Sequence, residues 1–365
     1  MSNLSNNRYY IHRLFTGTEW RHSVMLEIMD GRVEAITPAN PADANNWIPL
    51  MAPAFIDLQL YGAEGRLLSV FPDAETIHAI RRTCEKGGAT HFQPTVATNS
   101  REVFLRCIDA VRAYWHQGGE GCIGLHVEGP WIHPAKKGAH LEQYIEKGTL
   151  ETVASLLEAG KDVISMVTLA PECCDESVVA LLMRAGVMVS AGHSNATYEQ
   201  ATRAFNRGIP VATHLFNAMS ALQHRSPGMV GSILDHDFVK ASVIPDGHHV
   251  DYAAIRVAKK IMGDRLFIIT DAVTDTNAGP YQHQRVGNKF ESAGVLSGSM
   301  ITMAEGVNNL IEQVGIEEDE AMRMASLYPA RVMGRVDMNG RIEVGEKLFA
   351  VMFDNDRTVL GVLRN

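Results

Sequence analysis

The sequence predicts a (β/α)8 TIM barrel beside a small β-sandwich domain that both chain ends build together. Three observations favour this α/β fold class. Strand patterns occupy both ends of the chain, strand and helix patterns alternate between them, and no glycine-rich nucleotide-binding fingerprint follows an early strand. We expect the small domain in residues 1–50 and 335–365 and the barrel in residues 51–334.

The two chain ends both predict short strands joined by tight turns. Near the N-terminus, apolar residues recur in 9–11, 23–28 and 33–36, and Asp30-Gly31 is typical of a hairpin turn. Near the C-terminus the same pattern occupies 341–344, 348–353 and 359–363. We therefore expect the two β segments to pair into one domain.

Between these ends the apolar period changes repeatedly from that of a strand to that of a helix. The predicted strands are 50–58, 90–95, 122–127, 163–169, 187–191, 210–214, 239–244 and 265–270. The predicted helices are 74–86, 101–115, 149–158, 176–184, 198–207, 252–262 and 303–314. An open doubly wound sheet usually has fewer strands, so this number of repeats favours a closed barrel.

Composition excludes several classes of partner. The 365 residues carry a formal net charge of −9, which argues against nucleic acid and anionic membranes as partners. The five cysteines are odd in number and lack C-x-x-C spacing, and the polar N-terminus shows no apolar signal region. We therefore predict a cytoplasmic location. An anionic small substrate is compatible with this composition where the site gathers its own positive charge.

The predicted strand ends concentrate residues suited to metal binding. Glu128, His193 and His214 follow three different strands, and barrel active sites lie at the carboxyl ends of the strands. One carboxylate with two imidazoles is typical of a catalytic zinc site that keeps a position open for water. His126 is a rival ligand, because it lies on the same face of its strand as Glu128, one layer deeper.

Asp271 follows the eighth predicted strand, in Thr270-Asp-Ala. A carboxylate at that place can take a proton from an attacking water and return it to a leaving amine. The alternative interpretation is a helix cap or an ion-pair partner. We predict a catalytic role for Asp271, because no clear helix start follows it directly.

Several motifs together resemble the N-acetylglucosamine-6-phosphate deacetylase family of the amidohydrolase superfamily. The resemblance runs from about Ala52 to Ala330, with the motifs in the family's order. The motifs are Gly124-Leu-His-Val-Glu-Gly-Pro-Trp131, Lys136-Lys-Gly-Ala-His140, Ser190-Ala-Gly-His-Ser-Asn-Ala-Thr197, Thr213-His-Leu-Phe-Asn-Ala-Met219, Asp246-Gly-His-His-Val-Asp251 and Leu296-Ser-Gly-Ser299.

The resemblance implies a substrate and further site residues. The implied reaction converts N-acetyl-D-glucosamine 6-phosphate to D-glucosamine 6-phosphate and acetate, in amino-sugar catabolism. His140 would engage the acetamide, and Arg225 would reach the phosphate from the neighbouring subunit of a homodimer. The other implied substrate contacts are Ala139, Asn217, Ala218, His249, Leu296, Ser297 and Gly298. The adjacent His248 is the alternative to His249, but the Val-Asp that follows favours His249.

The sequence also departs from the family pattern. The superfamily commonly has H-x-H in the first barrel strand, where this chain offers Asp57 and Gln59, and an amide is a weak metal ligand. We therefore expect one divalent ion per subunit, zinc first, with iron, cobalt or manganese as alternatives. Residues 273–291 do not resemble the family and bear on sugar selectivity.

Three alternative functions stay open on the sequence. The nearest is deacetylation of a related substrate such as N-acetylgalactosamine 6-phosphate. Cyclic-amide hydrolysis or deamination on the same barrel usually needs the H-x-H pair, which is not evident here. A catalytically inactive scaffold is a different class, but the predicted ligands and Asp271 are all present.

Overall fold

The computed structural model describes residues 7–40, 42, 47–335 and 337–364. In chain order the strands are β1 (Asn7–Phe15), β2 (Trp20–Met29), β3 (Arg32–Pro38), β4 (Trp47–Pro53), β5 (Phe55–Leu60), β6 (Gly62–Ala63), β7 (Arg66–Leu67), β8 (Ala89–Ala97), β9 (Leu125–Glu128), β10 (Ile164–Leu169), β11 (Met188–Ala191), β12 (Val211–Ala212), β13 (Lys240–Val243), β14 (Leu266–Ile268), β15 (Gln284–Val286), β16 (Lys289–Ser292), β17 (Val295–Leu296), β18 (Phe349–Phe353) and β19 (Val359–Arg364).

The helices alternate with the strands through the middle of the chain. They are α1 (Ala74–Lys86), α2 (Arg101–His116), α3 (Leu150–Gly160), α4 (Glu176–Arg184), α5 (Tyr198–Asn206), α6 (Gly228–Asp235), α7 (Tyr252–Met262), α8 (Met303–Asn309), α9 (Glu318–Ala325) and α10 (Leu327–Met333). Among the described residues, none of these helices combines the length and apolar character that a membrane crossing needs.

Both chain ends contribute to one six-stranded sheet, in the order β19-β18-β4-β1-β2-β3. β1 and β4 pair in parallel, whereas β1 with β2, β2 with β3, and β18 with β4 and β19 pair antiparallel. Asp30 and Gly31 have φ of 48° and 73°, as a two-residue hairpin turn requires. The predicted pairing of the two chain ends is therefore confirmed.

Eight strands form a second sheet, in the order β14-β13-β12-β11-β10-β9-β8-β5, and the pairs from β8 to β14 are parallel. Its two ends meet, because the Asp271 amide donates to the Gln59 carbonyl at 2.9 Å and the Tyr61 amide donates to the Ala272 carbonyl at 2.8 Å. Every residue of β5, β8 and β9 is buried, as in a parallel sheet covered on both faces. The predicted (β/α)8 barrel is confirmed.

Some predicted element bounds are wrong. The apolar run 50–58 is divided at Ala54 between β4 of the end sheet and β5 of the barrel. A continuous apolar run cannot reveal this division, because residues 50–58 are all buried and do not alternate. Residues 341–344 lie outside any strand, and α6, which begins after Pro227, was not predicted. α6 is buried at seven of its eight positions, so it lacks the polar face that marks an amphipathic helix.

The described residues fall into two compact units. One lies within Met1–Asp57, Arg82–His91 and Thr302–Asn365 and contains the six-stranded sheet. The other comprises Leu58–Arg81 and Phe92–Ile301 and contains most of the barrel. The predicted domain limits, 1–50 with 335–365 and 51–334, stay a prediction.

Candidate active site

Four polar residues of the second unit lie at or just beyond the carboxyl ends of barrel strands. Glu128 is the last residue of β9, while His193 and His214 follow β11 and β12 by two residues and Asp271 follows β14 by three. All four are buried. Buried ionisable side chains need partners, since an isolated charge away from water is costly. The carboxyl ends of these strands therefore form one buried polar centre.

Three of these residues have left-handed backbone conformations. φ is 48° for His193, 38° for His214 and 54° for Asp271. Residues with a β-carbon rarely adopt such φ values, because this backbone conformation is strained. The strain persists only where the surrounding structure imposes it. Strained residues of this kind cluster at functional sites, so the strand ends are favoured as the place of the chemistry.

Glu128 lies at the centre of the cluster. Its Oε1 is 3.3 Å from His193 Nε2 and 3.1 Å from His214 Nε2, and the two imidazole nitrogens are 3.1 Å apart. A tetrahedral ion with ligands at about 2 Å holds them about 3.3 Å from one another, so the three atoms have the spacing of a metal site. The cluster therefore suggests a divalent metal site.

A hydrogen bond on the side of the ring away from Glu128 fixes the tautomer of His193. His193 Nδ1 lies 2.9 Å from the Lys136 carbonyl oxygen, which can only accept, so the proton is on Nδ1. Nε2 of the neutral ring then has a free lone pair, which is the form that binds metals. His214 Nδ1 is buried and has no hydrogen-bond partner within the described residues.

His140 joins the same cluster through the other carboxylate oxygen. Its Nε2 lies 3.1 Å from Glu128 Oε2 and its Nδ1 lies 2.7 Å from Thr98 Oγ1. Glu128, His140 and His193 each offer a ligand atom, and these atoms lie within 4.8 Å of one another. His140 and His214 are thus alternative third partners for an ion between Glu128 and His193.

His126 is held one layer below this cluster. Its Nε2 lies 2.7 Å from Thr168 Oγ1, and its Nδ1 lies 3.3 Å from the Leu58 carbonyl. Both nitrogens therefore have partners within the barrel interior, and burial lowers the pKa of the ring to about 4. This arrangement suits a neutral supporting residue rather than a ligand.

Gln59 and Tyr61 connect Glu128 to Asp271. Gln59 Nε2 donates to Glu128 Oε1 at 3.0 Å and to Asp271 Oδ1 at 2.7 Å. The Tyr61 hydroxyl bonds Glu128 Oε2 and lies 3.3 Å from Asp271 Oδ1. The pair at the end of the first barrel strand is therefore Gln59 and Tyr61, two residues beyond the predicted pair of Asp57 and Gln59.

Burial and neighbouring charges act oppositely on the two carboxyls. Burial alone would raise the pKa of Glu128, but the adjacent imidazoles of His193, His140 and His214 hold it well below its usual range. Burial raises the pKa of Asp271, and the charge of Glu128 adds to this, against the opposing effect of His214. Two carboxyls with divergent pKa values suit one ligand and one proton carrier.

Comparison with known proteins identifies the family of this chain. Residues 50–365 match the amidohydrolase family. The chain is an amidohydrolase. An N-acetylglucosamine-6-phosphate deacetylase of Haemophilus influenzae is 38% identical, and the alignment covers 85% of this chain and 84% of the relative.

Two further similar proteins cover almost the whole amidohydrolase chain. The crystal structure of N-acetylglucosamine-6-phosphate deacetylase from Pasteurella multocida has a TM-score of 0.91 and 34% identity, over 98% of both chains. An N-acetylgalactosamine-6-phosphate deacetylase of Escherichia coli O157:H7 is 29% identical over 94% of both chains.

Most of the substrate residues that the sequence predicted line one cavity of this amidohydrolase, together with the polar cluster. Arg225 does not line it and is exposed instead, and His248 is exposed whereas its neighbour His249 faces the cavity. The predicted residues that line the cavity are Ala139, His140, Asn217, Ala218, His249, Leu296, Ser297 and Gly298.

His249 is oriented by a carboxylate. Asp246 Oδ2 accepts from His249 Nδ1 at 2.7 Å, and the same carboxylate accepts from the backbone amides of residues 248 and 249. Burial acts to raise the pKa of Asp246, but these hydrogen bonds hold it below its usual value. The imidazole of His249 is therefore held in one orientation at the cavity wall.

The segment that departs from the family pattern contributes three cavity residues that the sequence did not predict, and Val273 is the first of them. Tyr281 and His283 line the cavity, and the strands β15, β16 and β17 that follow form a small antiparallel sheet. Their aromatic character was visible in the sequence, but nothing local placed them beside the strand ends. The segment is held at the site by the Tyr281 hydroxyl, which bonds the Thr98 carbonyl and the Leu141 amide, and by β17, which ends at the cavity residue Leu296.

Proposed function

We propose that this amidohydrolase removes the acetyl group from N-acetyl-D-glucosamine 6-phosphate, producing D-glucosamine 6-phosphate and acetate in amino-sugar catabolism. The observation that carries the proposal is the buried cluster of Glu128, His193 and His214 beside Asp271. Relatives with that named activity, over most of the chain, supply the substrate. The enzyme is thus a hydrolase acting on a linear amide bond.

Glu128, His193 and His214 are the proposed ligands of one divalent ion per subunit. The lone pair that the Lys136 carbonyl leaves on His193 Nε2 supports this set. Zinc is the proposed ion, because one carboxylate and two imidazoles match its preferences, and iron, cobalt and manganese are alternatives. Bound there, the ion would supply Lewis acidity toward water and toward the acetamide carbonyl.

Asp271 is the proposed acid–base residue. Its carboxyl is buried and faces the cavity, and the raised pKa helps it to hold a proton between steps. It would take the proton of the attacking water and deliver it to the amine as the amide bond breaks. Gln59 and Tyr61 hold the carboxylate in place for both transfers.

His140 is the proposed contact of the acetamide. It is held by Thr98 on one nitrogen and by Glu128 on the other, so its ring is fixed beside the metal cluster. Burial lowers the pKa of His140 to about 4, so the ring is neutral. Its Nε2–H, which faces Glu128 Oε2, would donate instead to the acetamide carbonyl oxygen when substrate binds, without carrying charge into the cavity.

The proposed phosphate contacts are the backbone of Asn217 and Ala218, with Arg225 supplied by the partner of a homodimer. Arg225 is exposed and lies outside its own cavity, which supports a role in the partner's site. A planar guanidinium binds phosphate through paired hydrogen bonds. His249 would contact the sugar, while Ala139 and the stretch Leu296 to Gly298 would close around it.

A cytoplasmic location is also proposed. None of the five cysteines, all of which the structure describes, forms a disulfide, and three of them are buried, as in a reducing compartment. The formal net charge of −9 gives no support to nucleic acid or membrane partners. The proposed partners are therefore a phosphorylated amino sugar and a second copy of the chain.

N-acetylgalactosamine 6-phosphate is the second candidate substrate. The observation that favours it is the Escherichia coli O157:H7 relative named for that activity, which aligns over 94% of this chain. The two sugars differ only in one hydroxyl configuration, so the metal cluster and Asp271 would serve both.

Acetate release from a panel of acetylated amino sugars tests the proposed function. The panel holds the glucosamine and galactosamine forms, each with and without the 6-phosphate, before and after metal chelation. We expect the highest kcat/KM on N-acetylglucosamine 6-phosphate and loss of activity on chelation. No acetate from any member would overturn the proposal and favour an inactive scaffold, and a preference for the galactosamine form would establish the second candidate.

A further inference from the structure

His283 lies in the cavity without a part in the proposed chemistry. It is 6% exposed and lines the same cavity as Glu128 and Asp271. It belongs to the segment before β15 that the sequence could not relate to the family. Burying an imidazole is unfavourable because of lost conformational freedom and desolvation. A polar ring on the cavity wall is therefore expected to have hydrogen-bond partners.

Two contacts fix the His283 ring. Its Nδ1 lies 2.9 Å from Ser297 Oγ, and its plane is parallel to the Tyr281 ring within 9°, with centroids 6.3 Å apart. Tyr281 is in turn anchored, because its hydroxyl donates to the Thr98 carbonyl at 2.5 Å. The ring is therefore preorganised against the loop that also supports His140.

The other nitrogen of His283 is available for a ligand. Within the described part of the chain, no hydrogen bond engages His283 Nε2, while Nδ1 is occupied by Ser297. Burial lowers the pKa of His283 to about 4, so the ring is neutral at neutral pH. A neutral imidazole suits an uncharged polar group better than a phosphate, and the serine can set Nε2 as donor or acceptor.

We propose that His283 is a specificity-determining residue whose Nε2 atom hydrogen-bonds a ring hydroxyl of the hexosamine substrate. This inference rests on the proposed function. The acetamide and the phosphate already have proposed contacts elsewhere in the site. The hydroxyls at C1, C3 and C4 of the sugar therefore remain for His283 to bind. A site built to bond a hydroxyl discriminates strongly against an analogue that lacks it.

Paired amide substitutions test the contact. In a His283→Gln variant the side-chain amide nitrogen reaches about as far as Nε2, whereas in His283→Asn it reaches only about as far as Nδ1. We expect His283→Asn to raise KM for N-acetylglucosamine 6-phosphate about tenfold, the effect of one lost hydrogen bond, and His283→Gln to restore most of it. kcat should change much less than KM in both variants.

Deoxy analogues locate the contacted hydroxyl. Each variant is assayed on the 1-, 3- and 4-deoxy forms of the substrate and on its 4-epimer. The about tenfold increase in KM that His283→Asn causes should be absent on the one analogue that lacks the contacted hydroxyl. It should persist on the other analogues. His91→Asn is the matched control, because His91 is also buried with a pKa of about 4 but does not line the cavity.

The outcomes separate this inference from the proposed function. An equal loss on every analogue, or no loss in His283→Asn, would overturn the assignment of His283 while leaving the deacetylase proposal intact. A His91→Asn control that shifts KM in the same way would also overturn it, by showing a general effect of truncating a buried histidine. Wild-type protein that releases no acetate from any sugar overturns both proposals.

Discussion

Glu128 is the residue on which the other site residues converge. Its Oε1 meets His193, His214 and Gln59, and its Oε2 meets His140 and Tyr61. Five partners around one fully buried carboxylate compensate the cost of removing its charge from water. The arrangement also divides the site, because one oxygen faces the two proposed histidine ligands and the other faces the proposed acetamide contact.

Asp271→Asn isolates the proton-transfer role. An amide cannot carry the proton of the attacking water to the leaving amine, so we expect kcat to fall by roughly 10²–10⁴. The fold of the site should survive, since asparagine can still accept from Gln59 at the same position. Measuring kcat together with metal content checks this. A variant that keeps its metal and near-normal turnover would contradict the acid–base assignment.

Tyr61→Phe tests how Asp271 is positioned. The variant loses the hydroxyl that bonds Glu128 and approaches Asp271, so we expect kcat to fall about tenfold, as for one lost hydrogen bond to a charged group. Metal content should not change, because no proposed ligand is removed. Tyr114→Phe is the control, since the Tyr114 hydroxyl donates to the backbone carbonyl of Glu120, away from the cavity. Equal turnover in both variants would refute this role.

The sequence predicted the residues of the cluster better than the residues around it. Glu128, His193 and His214 could be singled out because a barrel brings the carboxyl ends of distant strands together. Gln59 was predicted with the wrong companion, since a period-2 pattern allows Asp57 or Tyr61 equally well. Arg225 stays a prediction, because no contact within one subunit tests it.

At the level of elements, the segment after β17 supports the segment after β14. The Ser299 amide donates to the Asp271 carbonyl at 2.9 Å, and the Ser299 hydroxyl bonds the Thr270 carbonyl. Gly298 has φ of 90° and lies against these residues. The return of this segment to the barrel therefore holds the strained backbone of Asp271.

Gly298→Ala tests this support. A methyl group at Gly298 would lie 2.6 Å from Val273 Cγ1 and 2.8 Å from the Asp271 carbonyl oxygen, so the segments must move apart. We expect a loss of about 1–3 kcal/mol in unfolding free energy together with reduced kcat. Gly294→Ala is the control, with a φ of 78° but open space around it, and should lower stability without lowering kcat. Unchanged kcat in Gly298→Ala would contradict the support.

Element types were more predictable than element limits. The switch between strand and helix periods marked the barrel repeats, because amphipathic helices differ clearly from buried strands. The division of residues 50–58 between two sheets was not predictable, since burial on both sides removes the alternation that would mark a boundary. α6 was missed for the same reason, as it has almost no polar face.

At the level of the whole molecule, Arg225 links the site to the proposed homodimer. Gln223 and Ser226 pair across a tight turn through two hydrogen bonds of 3.1 Å, which leaves His224 and Arg225 at its tip. Both tip residues are exposed. Arg225 is thus exposed at the tip of a turn and outside its own cavity, as the proposed contribution to a partner's site requires.

Subunit mixing tests the shared site. Arg225→Ala and Asp271→Asn should each be weakly active alone. The first should have a higher KM for the phosphorylated sugar, and the second should have a lower kcat. After unfolding and refolding together, half of the dimers contain one intact site, so about a quarter of wild-type activity should return. Activity that stays at the sum of the two parents, or a fully active wild-type monomer, would contradict the shared arginine.

The measurement that tests the central proposal most directly is metal content against acetate release in one titration. Chelated protein is reloaded with zinc, and bound ions per chain and turnover of N-acetylglucosamine 6-phosphate are followed together. We expect full activity at one ion per chain, and loss of both tight binding and turnover in His193→Ala and His214→Ala. Two tightly bound ions per chain, or full turnover in the metal-free protein, would contradict the proposed single-metal deacetylase.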